Sequence, residues 1–81
     1  MKVTVLLFAQ LADAAGCERL AVHVPEGATV AELLDEIGRT HPALAVHWDR
    51  IAVAVDEAYC SLDRALHPGQ TVALIPPVSG G

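Results

Sequence analysis

Few side chains in this 81-residue sequence are of types that do chemistry, and their spacing decides what they can do. Four histidines (His23, His41, His47, His67) and two cysteines (Cys17, Cys60) are metal-ligand types. No two of them fall in a CxxC or HxxxH pair, the spacing that sets two ligands on one turn or helix face, so no metal site is expected. A nucleophilic Cys17 or Cys60 would need a neighbouring base and a depressed thiol pKa. The sequence offers neither, and both read as small half-buried hydrophobes. Ser61 and Ser79 stand in no nucleophile elbow. Asp56-Glu57 pairs two acids but reads as a solvated turn.

What remains is the end of the sequence, Pro76-Pro77-Val78-Ser79-Gly80-Gly81. A glycine pair in a phosphate loop precedes a helix and a Lys-Ser/Thr, which is excluded here. A terminal carboxylate has a pKa of about 3.5, so at neutral pH it is ionised and a poor electrophile. It becomes reactive only after activation, for instance as an acyl-adenylate made with ATP. Glycines leave the carbonyl unhindered, tolerate unusual backbone angles and fit a narrow channel. From Pro76 to Gly81 the chain reaches about 20 Å at about 3.3 Å per residue. Pro76-Pro77 stiffens the base of this segment, and Ser79 is a small polar handle.

The rest of the chain must hold that end. Its length fits one small domain burying roughly 60–65% of its unfolded surface. Apolar residues make up 53%, but fourteen are alanine and only three residues are aromatic. A core of Val, Leu and Ile leaves little volume for an enclosed pocket of the usual few hundred Å3, so a self-contained active site and a bound cofactor are not expected. No apolar run approaches the roughly 20 residues of a membrane span. The opening MKVTVLLFAQ alternates like a strand and lacks a small-residue cleavage site. Two cysteines without a disulfide framework agree with a cytoplasmic protein. The net charge of −5, with Lys2 as the single lysine, disfavours nucleic acid and anionic membranes and favours a partner with a basic docking face.

The elements follow from periodicity. Val3 to Ala9 is apolar on both faces, as a central strand requires. Gln10–Gly16 is alanine-rich and closed by glycine, which predicts one or two helical turns. Leu20, Val22 and Val24 alternate as a second strand. Thr29-Val30-Ala31-Glu32 has capping-box spacing. Val30, Leu33, Leu34 and Ile37 then line one helical face, with Gly38 and Pro42 read as its stop. After an irregular stretch around Trp48, Ile51, Val53 and Val55 share one face of a strand. Cys60–Ala65 reads as a short edge strand or bend. Thr71–Ile75 is the last strand, stopped by Pro76-Pro77.

This order predicts an α+β fold of β-grasp type, as in ubiquitin: a mixed sheet with one main crossover helix on one face. The domain spans residues 1–75, the extended tail 76–81, and the last strand lies beside the first at the sheet centre. If Val3, Val5 and Leu7 meet the helix, Leu6 and Phe8 lie on the other face with Ala73 and Ile75. One helix leaves that face uncovered, which marks it as a candidate partner surface.

Four blocks, VLLFAQLADAAG, VPEGATVAELL, IAVAVDEAY and above all LHPGQTVALIPPVSGG, together resemble the small-subunit family of molybdopterin synthase, ubiquitin-like sulfur carriers, over essentially the whole chain. The turns depart from the family's commoner residues. Asp56 stands where asparagine is frequent, and His67-Pro68-Gly69-Gln70 replaces an Asp-Gly-Asp/Glu turn. The resemblance implies that Gly81 is adenylated by an enzyme like the ubiquitin-activating enzymes and converted to a thiocarboxylate. Pro76, Pro77, Val78, Ser79 and Gly80 would carry it into a large subunit, two small and two large per complex. There the sulfur passes to cyclic pyranopterin monophosphate. A carrier for thiamine, cysteine or tRNA thiolation, a ubiquitin-like protein modifier and a plain interaction domain share parts of this description. The proline pair favours the first reading, and the single lysine disfavours chain building by a modifier.

Overall fold

A computed structural model of the protein describes residues 1–77. Strand β1 (Lys2–Leu7) leads into helix α1 (Gln10–Ala15) and strand β2 (Arg19–His23). Helices α2 (Val30–Thr40) and α3 (Pro42–Ala45) follow, then strands β3 (Ala52–Val55), β4 (Ala58–Cys60) and β5 (Thr71–Ile75). The five strands form one sheet in the order β2-β1-β5-β3-β4. β5 runs parallel to β1, and the other pairings are antiparallel. This is the expected β-grasp arrangement, with the last strand beside the first.

Alternation decides which face of the sheet is packed. Val3, Val5 and Leu7 of β1, Val72 and Leu74 of β5, and Val53 and Val55 of β3 are all buried. They meet Val30, Leu33, Leu34 and Ile37, the apolar stripe of α2, which is buried as well. Ile51, expected to share the Val53 and Val55 face within a strand, precedes β3 and is half-buried.

The start of α2 leaves no backbone donor free. An isolated helix begins with four unpaired N–H groups. Here Thr29 Oγ1 accepts from the Glu32 N–H at 3.3 Å and Glu32 Oε1 accepts from the Thr29 N–H at 3.0 Å, closing the capping box. The Val30 and Ala31 N–H groups donate to the carbonyls of Arg64 and Leu62 at 3.0 and 2.9 Å, and the Leu33 N–H to Thr29. The segment after β4 is therefore a cap for the helix, with only Ala65 making a bridge, to Thr29. The bend expected over 60–65 is present, and the edge strand lies earlier, at Ala58–Cys60.

One expectation for α2 and one for the stretch after it are corrected. Gly38 does not stop the helix, which continues to Thr40. A Cβ at Gly38 would stand 3.2 Å from the Ala45 Cβ and 3.4 Å from Trp48 Nε1. Trp48 Nε1 donates to the Leu34 carbonyl at 3.1 Å. The glycine is thus set by close packing of α3 and Trp48. The stretch read as irregular contains α3, begun by Pro42 at a first-turn position where a missing N–H does no harm.

Candidate functional site

The candidate surface is the sheet face turned away from α2. β1 ends at Leu7, two residues short of the expected Ala9, because Ala9 has φ 51 and ψ −127. The Leu11 N–H donates to the Phe8 carbonyl at 3.0 Å across this turn. A non-glycine residue in that region is strained by about 1–3 kcal/mol. Phe8 sits immediately before it and is 46% exposed.

Register brings the expected surface residues together. Leu6 pairs with Ala73, and Ala73 with Ala54, which pairs in turn with Tyr59. Arg19 pairs with Leu6 on the other side. One row across the sheet therefore reads Arg19, Leu6, Ala73, Ala54, Tyr59. Its middle is built of methyl groups and its ends of longer side chains, with Tyr59 74% exposed. Ile75, half-buried, pairs with Ala52 two residues further along. Leu6 and Phe8 form a ridge between two open depressions. One, of about 490 Å3, is walled by Thr71, Ala73, Asp56 and Glu57. The other, of about 550 Å3, is walled by Ala9, Ala12, Glu18 and Arg19.

β5 delivers the chain to the end of this face. It is hydrogen-bonded on both sides, to β1 and to β3. The buried–exposed alternation continues past the strand: Pro76 is buried and Pro77 exposed. Pro76 is thus the last buried residue among those described, at the base of the expected tail. The expected roles of Val78, Ser79, Gly80 and Gly81 lie outside the described residues.

The turns contain a polar unit that sequence reasoning treated as two separate departures. Asp56 and Glu57, with φ 47 and 71, make the two-residue β3–β4 hairpin, whose positive φ values usually select Asn-Gly. Asp56 Oδ1 accepts the Thr71 N–H at 2.9 Å, and Oδ2 accepts from Gln70 Nε2 at 3.2 Å. Gln70 Oε1 accepts the His67 N–H at 2.7 Å.

The remaining candidate groups do not converge. Among the described residues, no three His, Cys, Asp or Glu side chains are grouped to hold a metal ion. Cys17 and Cys60 are half-buried free thiols. Arg39 bonds Glu36 on α2, which lowers the Glu36 carboxyl pKa and raises that of the guanidinium. No helix among the described residues is long and apolar enough to cross a membrane.

Comparison with known proteins agrees with this architecture. The ThiS family matches residues 5–81. The human molybdopterin synthase sulfur carrier subunit is 37% identical over 99% of this chain and 94% of its own length. The crystal structure of small archaeal modifier protein 1 from Haloferax volcanii superposes with a TM-score of 0.91 at 36% identity, covering all of both chains. A chain of the BexX/CysO complex from Amycolatopsis orientalis gives a TM-score of 0.72 at 26% identity, over 98% of this chain and 99% of that one. The resemblance drawn from the sequence blocks is borne out at the level of the family. The chain belongs to the ThiS family and is a ubiquitin-like protein of the sulfur-carrier type.

Proposed function

We propose that this protein is the sulfur-carrying small subunit of a molybdopterin synthase. The observation that carries the proposal is the mounting of the diglycine end. A central strand paired on both sides runs through the buried Pro76 directly into the last five residues. No comparably built constellation of reactive side chains accompanies it among the described residues.

In this reading the Gly81 carboxylate attacks the α-phosphorus of ATP on an adenylyltransferase related to ubiquitin-activating enzymes, releasing pyrophosphate. Sulfide-level sulfur (HS⁻) then attacks the acyl carbon, expels AMP and leaves a thiocarboxylate, charged at neutral pH and far more nucleophilic than the carboxylate. Leu6, Phe8, Ala73 and Ile75 dock on the large subunit, two small and two large chains making the complex. Pro77, Val78, Ser79 and Gly80 reach into its active site. The small chain brings the nucleophile, while the pocket, the basic groups and the acid–base residues belong to the partner. Cyclic pyranopterin monophosphate receives the sulfur there, and two deliveries build the dithiolene. No cofactor is held by the carrier itself.

The test is intact-mass measurement after incubation with ATP, the activating enzyme and a sulfur donor. Exchange of one oxygen for one sulfur at Gly81 is expected. No exchange, under conditions that load a control carrier, would overturn the proposal. The likeness to the archaeal modifier supports a second reading in which a lysine amine captures the same acyl-adenylate. Isopeptide-linked products in place of a thiocarboxylate would favour it.

A further inference from the structure

The polar unit between the two turns has no role in the chemistry above, yet it borders the face proposed to dock. Register with β3 places Asp56 opposite Thr71, one step beyond the Val55–Val72 pair. The Asp56 N–H donates to the Thr71 carbonyl at 2.9 Å, as a strand residue would. The Thr71 N–H, however, is accepted by the Asp56 carboxylate. A side chain therefore completes the last rung of the ladder while the backbone turns away into the hairpin. The Gln70 carbonyl accepts the Thr4 N–H at 3.4 Å, so β1 is tied to the same unit.

We infer that Asp56 and Gln70 are positioning residues for partner recognition: their latch fixes the wall formed by Asp56, Glu57 and Thr71 against Leu6, Phe8 and Ala73. The inference rests on the carrier reading above. The latch needs one carboxylate and one amide. The carboxylate only accepts, and it takes two donors; the amide gives one N–H and accepts another. Asp56→Asn places an NH2 group against Gln70 Nε2. Turning the Gln70 amide relieves that contact but sets its NH2 against the His67 N–H. Asp56→Asn with Gln70→Glu restores complementarity with the roles exchanged.

Backbone strain acts in the opposite direction. Asparagine adopts positive φ more readily than aspartate, so Asp56→Asn is not expected to lower the melting temperature. A loss of binding without a loss of stability is the signature of a positioning role. The expected loss is a weakening of about threefold to tenfold, the cost of ordering the loosened wall again on docking.

The experiment measures association of the full chain with a molybdopterin synthase large subunit by calorimetry, for the unaltered protein, Asp56→Asn and the Asp56→Asn/Gln70→Glu pair. It is run at about 0.15 M and about 1 M salt, where the screening length falls from about 8 to about 3 Å. Weaker binding by the single variant at both salt concentrations, recovered to within about twofold by the double variant, is expected. Equal binding by all three, a double variant no tighter than the single one, or a loss that vanishes at high salt would overturn the positioning role. Amide exchange at Thr71 tests the latch without the partner. Faster exchange in Asp56→Asn than in the other two chains is expected, and equal exchange in all three would overturn the latch. An unaltered chain that forms no complex, with the exchange pattern as expected, would count against the carrier reading and against any recognition role for these residues.

Discussion

The two faces of the sheet are made by alternate residues of the same strands, and they are packed differently. The inner face presents Val3, Val5, Leu7, Val53, Val55, Val72 and Leu74, none more than 4% exposed. The outer face sets alanines at its centre and leaves Phe8 and Tyr59 open at its margins. Bulky β-branched and leucine side chains fill space against one helix. A centre of methyl groups with raised ends leaves space for something else. If the outer face is the docking face proposed above, the difference makes this chain's stability and its recognition separable by residue parity.

Substitutions on either side of that parity should separate the two properties. The largest expected effect on folding is on the inner face. Leu74→Ala should cost about 2–5 kcal/mol, lowering the melting temperature by about 10 °C or more for a domain of this size. Ile75→Ala, one residue along and half-buried, should cost no more than about half of that, because less apolar surface is lost. Thermal unfolding of the pair checks this, and equal losses would break the comparison.

On the outer face the order reverses. Phe8→Asp should weaken association with the large subunit by about tenfold or more while moving the melting temperature by less than about 4 °C. Unchanged affinity by calorimetry would place the interface elsewhere. The smallest effect belongs to the strained turn between β1 and α1. Ala9→Gly should stabilise by about 1 kcal/mol, because only glycine adopts φ 51 with ψ −127 without strain. A fall in chemical-denaturation midpoint would refute that account of the turn.

The sequence made the local patterns legible and left the non-local ones hidden. Val3, Val5 and Leu7 alternate with Leu6 and Phe8, which sorts the strand into two faces without saying which one the helix covers, and the Thr29–Glu32 capping box closes within four residues. Gly38 was read as a stop because a glycine late in a helical pattern usually is one. Its actual reason is the approach of Ala45 and Trp48, which no local window contains. The Asp56–Gln70 contact joins residues fourteen apart, so each looked like an isolated turn substitution. Pro76 was assigned to the tail because a proline stops a strand, and only the packed structure reveals that it is buried. Of the candidate site, the parity of Leu6 and Ala73 was readable from the strands. The strained Ala9 that follows Phe8 was not, since nothing in Phe8-Ala9-Gln10 signals a positive φ.

The central claim is that the folded domain presents a chemically active end that it does not itself use. The most direct measurement compares molybdopterin formation by the full chain and by a chain lacking Gly81, each supplied with the activating enzyme, a sulfur donor, the large subunit and cyclic pyranopterin monophosphate. The account predicts product from the full chain and none from the shortened one, with both binding the large subunit equally well. Equal product from the two chains would contradict it.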